Sequence, residues 1–310
     1  MVSAIQDASA LMAASEALAA AVDEVARAVV VVLASRHGPS SGVLWRPGVV
    51  VTTAHTIRRD EGIRVILPDG ERSDAVLAGV DASTDLAVLK LEAAGGQVAE
   101  VGDSASVRAG HFVFAVARDG SGQPAASFGI VAAAGGEWRT WRGGHIDRLI
   151  RLDGGLHPGF SGGPVADARG RVIGVGTPAL ARGFGIVLPP STVNRVTDAL
   201  LESGRVARGY LGIGTQPVAL PASLGRKLGL QEHGGLIVLS LAPQGPAERG
   251  GMLVGDILLD LEGRPLREIR DLQAALGGER IGEQVRVGLV RGGERIESTI
   301  TLGQRPQQGC

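Results

Sequence analysis

Ser161 lies in the run Leu156-His157-Pro158-Gly159-Phe160-Ser161-Gly162-Gly163-Pro164-Val165, which holds one hydroxyl among three glycines with a proline on each side. So much Gly and Pro excludes a helix or strand interior and predicts a tight loop. The glycines permit positive φ and close approach of a substrate carbonyl, so backbone N–H groups can converge on one point. An acyl-transfer nucleophile needs that setting: an exposed Oγ with backbone donors aimed at the developing oxyanion. The plainer alternative is a surface turn carrying an ordinary serine, and the loop alone does not choose between them.

Two upstream residues change the weighing. Gly48-Val49-Val50-Val51-Thr52-Thr53 reads as a buried strand that runs directly into Ala54-His55-Thr56. A histidine at the end of an apolar strand stands on rigid structure, where a general base belongs. Alone it would be read as a core-edge histidine satisfied by a backbone carbonyl. Asp85 immediately precedes the apolar run Leu86-Ala87-Val88-Leu89. A carboxylate there is placed to accept from the histidine Nδ1 and fix its tautomer. Asp81 is the rival acid, but it opens the polar loop Asp81-Ala82-Ser83-Thr84 and reads as a turn residue. His157 is the rival base, and its place in the serine's own loop makes the required approach awkward.

The elements that must position these groups follow from composition. The chain has 310 residues, enough for about two domains. It is rich in Val, Leu, Ile and Ala, poor in aromatics, and carries 48 glycines, which favours many short strands and tight turns. A formal net charge of −1 offers no basic surface for nucleic acid or an anionic membrane. The one cysteine is Cys310, so no internal disulfide or cysteine metal site is possible, and the six histidines lack ligand spacing. No metal and no organic cofactor is implied.

Along the chain, the Ala-rich stretch from Ser3 to Ala28 predicts an amphipathic helix leading into a buried strand, Ala28 to Leu33. Acidic residues interrupt it, so it is not a membrane span, and it makes a poor signal peptide. A polar turn is predicted at Arg36-His37-Gly38-Pro39-Ser40. Asp69-Gly70 marks a hairpin after Ile63 to Leu67. Strands are predicted at Phe112 to Val116 and Phe128 to Ala132, where Gly129 marks a candidate bulge, and at Asp147 to Leu152 and Arg171 to Val175. Gly135 to Gly144, with Trp138 and Trp141, reads as an irregular loop. Ser191 to Ser203 reads as a helix ended by Gly204.

Thr53-Ala54-His55, Ser83-Thr84-Asp85-Leu86-Ala87-Val88-Leu89 and Gly159-Phe160-Ser161-Gly162-Gly163-Pro164, in that order, resemble the three signatures of the trypsin-like serine proteases, and the HtrA/Deg branch in particular. The resemblance runs from about residue 28 onward and implies a mostly β fold, a trypsin-like double β-barrel followed by a PDZ domain. It implies Ser161 as nucleophile, His55 as general base and then acid, and Asp85 as the orienting carboxylate. The N–H groups of Gly159 and Ser161 would form the oxyanion hole. By the same analogy Phe184, Gly185 and Ile186 line the primary specificity pocket. Gly155 aligns with the place where trypsin carries its pocket aspartate, so the pocket reads as apolar and favours a small or medium aliphatic side chain. Asp153 keeps a basic preference open. Phe160 departs from the family, which usually has Asn or Asp there, and bears on the geometry of the oxyanion hole. Thr56 stands where the family commonly has valine.

The segment after Arg205-Val206-Ala207-Arg208 resembles a PDZ domain in the permuted order of HtrA proteases. Its Tyr210, Leu211, Gly212 and Ile213 would bind a peptide carboxylate while the peptide adds a strand to the sheet edge. The expected organisation is a helical segment over 1–28, a protease domain over 29–203 and a PDZ domain over 204–306. The expected function is a serine endopeptidase that cleaves unfolded or damaged polypeptides under control of peptide C-termini at the PDZ domain. The alternative is a proteolytically silent chaperone or peptide-binding scaffold on the same fold. The resemblance implies a homotrimer built on aromatic contacts near the N-terminus, but residues 1–44 contain no Phe, Tyr or Trp. It also implies an extracytoplasmic location, whereas the chain as written shows no export signal and reads as unexported.

Overall fold

The computed structural model describes residues 2–35, 38–92, 95–229, 234–277 and 280–304. The turn at Arg36-His37, the end of the expected PDZ segment at 306 and Cys310 lie outside the described residues. The chain divides into two units, Met1–Arg205 and Val206–Cys310.

The first unit opens with the helix α1, Val2–Ala26. Its C-terminal end is buried at Val25 and Ala26, whereas Leu11 and Met12 are exposed. Arg118 fastens that end: its buried guanidinium donates to the carbonyls of Ala26 (2.8 Å), Val29 (2.7 Å) and Gly122 (2.5 Å). Burial lowers the Arg118 pKa. Among the described residues no helix is long and apolar enough to cross a membrane.

Six strands follow: β1 Val29–Leu33, β2 Ser40–Arg46, β3 Val49–Thr53, β4 Ile63–Ile66, β5 Arg72–Asp81 and β6 Leu86–Leu91. They close into a barrel in the order β1-β2-β3-β6-β5-β4, with β1 pairing both β2 and β4. Val30, Val32, Leu44, Val50, Val65 and Leu89 fill its interior. Val29 and Val31, the alternate positions of β1, are fully buried as well. A strand covered on both faces reads as an unbroken valine run.

The second barrel uses β7 Phe112–Arg118, β8 Pro124–Ala134, β11 Ile150–Leu152, β12 Pro164–Asp167, β13 Val172–Thr177 and β14 Ile186–Leu188, closed in the order β11-β14-β13-β12-β7-β8. The loop expected to be irregular is a hairpin, β9 Trp138–Arg139 with β10 His145–Ile146, paired Ile146 to Trp138. Thr140 and Gly143 close its turn: the Gly143 amide donates to the Thr140 carbonyl and the Thr140 amide to that of Gly144 (both 2.9 Å). The strand expected over Asp147 to Leu152 begins only at Ile150. Asp147 instead bonds Thr192 and Arg195 of the helix α2, Pro190–Ser203. Those hydrogen bonds and the Arg195 charge outweigh burial and hold its carboxyl below the usual range. Gly129 is not a bulge, since its register with Val113 is regular; a side chain there would collide with Asp153. The register shift lies in the pairing of β8 with β11, where Arg151 faces Ala133 and Leu152 faces Val131, so the extra residue on β8 is Ala132. Gly204 ends α2 in the left-handed region at φ 73°, with its amide on Leu200.

The second unit pairs β15 Gly209–Tyr210 with β22 Gly303–Gln304. Its sheet runs β16 Ile213–Ala219, β17 Gly234–Leu241, β18 Ile257–Leu261, β20 Gln284–Arg291 and β21 Glu294–Thr301, with β19 Arg264–Pro265 on β18. Among the described residues, the helices α3 Ala222–Lys227, α4 Pro246–Arg249 and α5 Ile269–Ala275 complete it. The core gathers Leu211, Leu236, Val238, Leu258, Val287 and Leu289. β16 is an edge strand beside α5.

Candidate active site

The ladder between β3 and β6 brings two of the candidate residues together. Thr53 at the end of β3 is paired with Leu86 at the start of β6. The residues just beyond, His55 in a 3-10 turn and Asp85 before the strand, therefore emerge side by side. The Ala54 amide donates to the Asp85 carbonyl (3.0 Å) and the His55 amide to Asp85 Oδ1 (2.9 Å). His55 Nδ1 lies 2.8 Å from Asp85 Oδ2. An ionised carboxylate only accepts, so Nδ1 carries the proton and Nε2 is left basic.

Asp85 is buried, at 4% exposure, and takes the left-handed φ of 60° that few non-glycine residues adopt. Strain of that kind persists only where surroundings over-determine it. Here they do. Thr177, at the end of β13, donates Oγ1 to Asp85 Oδ2 at 2.5 Å across 92 residues of chain. The loop before Asp85 is tied internally by Asp81, whose oxygens accept from the Ser83 amide (3.2 Å), Ser83 Oγ (2.8 Å) and Thr84 Oγ1 (2.7 Å). It is also tied to the β9–β10 turn: Thr140 Oγ1 donates to the Ser83 carbonyl (2.7 Å) and Arg142 to that of Ala82 (3.3 Å). Asp81 is thus a brace of the acid loop.

The Ser161 loop is laid directly on the first barrel. Gly162 has φ +85°, and a Cβ there would collide with the Ser41 carbonyl and with Thr52 of β3, so only glycine fits. The Ser41 amide donates to the Ser161 carbonyl (3.1 Å), and Ser41 Oγ donates to the Gly159 carbonyl (2.8 Å). The Gly162 amide bonds Gly176 (3.0 Å), one residue before Thr177. Ser161 is half-buried, and among the described residues no hydrogen bond joins its hydroxyl to His55. Neither the Gly159 nor the Ser161 amide has an acceptor among the described residues, while the Phe160 amide between them donates to His157 (3.1 Å). His157 is exposed, with its ring edge-on to Phe160 at 5.9 Å between centroids. Thr177, Ser41 and Thr140 were not among the candidates. The one sequence signal for Thr177 is a hydroxyl ending the buried run Val172-Ile173-Gly174-Val175-Gly176.

A trypsin-like peptidase domain is matched over residues 40–175 and a PDZ domain over residues 209–302. The solved HtrA-type protease AlgW with tripeptide is 30% identical, at a TM-score of 0.73 over 94% of this chain and 98% of that one. The chain belongs to the HtrA-type serine protease family. A solved serine endoprotease from Yersinia pestis is also 30% identical, with a TM-score of 0.72 over 92% and 97% of the two chains. Among curated relatives, a probable periplasmic serine endoprotease, DegP-like, of Brucella suis is 34% identical over 86% of this chain and 52% of its own length. That of Ectopseudomonas mendocina is 31% identical over 87% and 57%. The chain spans about half the length of the curated relatives it matches.

Within this HtrA fold, Gly185 packs against the loop before Ser161: its amide bonds the Gly154 carbonyl (2.8 Å) and its carbonyl accepts from Leu152 (2.9 Å). Ile186 is buried, whereas Phe184 is 40% exposed under the Arg151 guanidinium, 4.8 Å from the ring centroid. A shallow concavity is lined by Leu152, Gly154, Gly155 and Leu156 with Phe128 and Gly129, and Phe184, Gly185 and Ile186 are not among the residues that line it. In the PDZ unit, Gly212 has φ +79°, Leu211 is buried in the core, and their carbonyls accept from Ala242 and Ala247 (both 2.8 Å). The amides of Leu211 and Gly212 have no acceptor among the described residues. Tyr210 belongs to β15 and Ile213 opens the edge strand β16.

Proposed function

We propose that the protein is a serine endopeptidase in which Ser161 is the nucleophile, His55 the general base and then acid, and Asp85 the orienting carboxylate. The observation that carries this reading is the His55 Nδ1 to Asp85 contact of 2.8 Å at paired strand ends, against which the Ser161 loop is docked. As Ser161 Oγ attacks a peptide carbonyl, His55 Nε2 takes its proton, and Asp85 stabilises the imidazolium. The developing oxyanion enters the free amides of Gly159 and Ser161. His55 then protonates the leaving amine, and water repeats the sequence to release the acid.

The substrates are unfolded or damaged polypeptides, because the site must take extended chain. Gly185 and Ile186, with Gly155 free of charge, favour an aliphatic side chain at the cleavage position, and Phe184 shapes the rim. Peptide C-termini bind the second unit, with carboxylate on the Leu211 and Gly212 amides and the peptide strand along β16. The compartment is extracytoplasmic. The curated relatives are named periplasmic, which speaks against an unexported chain.

The test is labelling by a fluorophosphonate and turnover of casein, with and without a C-terminal peptide. Wild type should label at Ser161 and cleave, and Ser161→Ala should do neither. A folded wild type that neither labels nor cleaves, yet suppresses aggregation as well as Ser161→Ala does, would instead establish a silent chaperone.

A further inference from the structure

The two amides assigned to the oxyanion sit on either side of Phe160, in a loop whose glycines at 159 and 162 both have positive φ. Such a stretch has many backbone conformations open to it, and few of them aim both amides at one point. Hydrogen bonds restrain it in part, through the Phe160 amide on His157, the Gly163 amide on Phe160 (3.0 Å), the Gly162 amide on Gly176, the Ser41 amide on the Ser161 carbonyl and Ser41 Oγ on the Gly159 carbonyl. The side chain adds a restraint of its own. Phe160 is 8% exposed and belongs to the core of the second barrel, in one cluster with Val113, Ala115, Val165 and Leu152 and with Leu156 packed against it. Swinging either flanking peptide out of place would draw this ring out of the core into water, which an apolar ring resists.

We propose that Phe160 is a positioning residue for the hydrolysis itself. As an apolar anchor it holds the Gly159 and Ser161 amides toward the substrate oxygen, at a position where the family resemblance expects a small polar side chain. Because Leu152 and Leu156 share its cluster, the anchor also ties the oxyanion loop to the loop facing Gly185. The proposal rests on the peptidase reading above.

The experiment uses the full chain with a short chromogenic peptide, with rates expressed per folded molecule after thermal unfolding is measured. Phe160→Asn should lower kcat about 100-fold, the size of losing one oxyanion donor, with KM within about threefold. Its affinity for a peptide boronic acid, which forms a tetrahedral adduct on the serine, should fall in parallel. Phe160→Leu, which keeps an apolar anchor, should stay within about fivefold of wild type, because core swaps of similar size are tolerated. A purely structural role would lower the folded fraction and leave kcat per folded molecule unchanged, and that result overturns the proposal. So does a Phe160→Leu enzyme as slow as Phe160→Asn. If the asparagine variant does not fold, Phe160→Met and Phe160→Val carry the same test: kcat should fall further for valine with KM unmoved, and equal values overturn the anchor. A wild type without turnover or labelling removes the peptidase reading and the anchor together. An active wild type with an unimpaired Phe160→Asn removes the anchor alone.

Discussion

The two halves of the site are held by different physics. The first barrel presents His55 and Asp85 at the ends of paired strands and fixes them with directed hydrogen bonds, three of which converge on one buried carboxylate. The second barrel presents Ser161 on a glycine loop, fixed by backbone contacts to Ser41 and Gly176 and by a buried phenyl ring. Directed bonds to a charged group are short-ranged and specific, so losing one partner leaves a buried group unsatisfied. Apolar anchoring is graded by area and tolerates substitutions of similar size. The proposed base and acid should therefore respond to single-atom changes, and the Ser161 loop to changes of volume.

The largest expected effect on that contrast is Asp85→Asn. It keeps the shape but presents the wrong donor and acceptor pattern to Nδ1, and kcat should fall by about 10⁴ with the fold intact. A loss below about tenfold would show that the histidine does not need this partner. Thr177→Val removes one hydroxyl from the buried carboxylate at nearly constant volume. A hydrogen bond to a charged group contributes about 1.5–3 kcal/mol, so kcat/KM should drop about 10- to 100-fold. Ser41→Ala tests the seam between the barrels, since it frees the Gly159 carbonyl and the Arg118 amide from the Ser41 hydroxyl. A loss of about fivefold to tenfold is expected from the bond to the Gly159 carbonyl, the one of the two that touches the Ser161 loop, and it should be carried by kcat.

The PDZ unit supplies a control in which the same kind of directed network does no chemistry. Asp256 is buried, and burial alone would raise its pKa. Two bonds from Arg291 (2.7 and 2.8 Å), one from the Leu253 amide (2.8 Å) and the guanidinium charge reverse that and hold the carboxyl below its usual range. The same contact raises the Arg291 pKa. A carboxyl depressed in the folded state adds stability that is fully present above its unfolded pKa of about 4 and is lost as pH falls through the folded value. The thermal stability of the second unit should therefore fall between pH 5 and strongly acid conditions. Asp256→Asn should flatten that acid dependence and lower stability at pH 7 by about 1–3 kcal/mol, because the partly exposed Arg291 can turn to water. Peptidase activity without a PDZ ligand should change least of all the quantities named here.

The sequence by itself determined the strands and what stands at their ends. Apolar runs broken by Gly, Asp and Pro mark the barrels, and His55 and Asp85 are visible because a polar residue abutting a buried run interrupts a strict pattern. It also determined that residues 156–165 form a loop, because Gly and Pro allow nothing regular there. Tertiary structure alone decided the partners. Thr177 reaches Asp85, Ser41 reaches Gly159 and Thr140 reaches Ser83 only once two closed barrels meet, and no local pattern records a hydroxyl that bonds across so much chain. The hairpin at 138–146 was hidden for a related reason: strands of two residues are too short to show a period. The inward turn of Phe160 was equally illegible, because after a glycine at positive φ the direction of the next side chain is set by the core it finds.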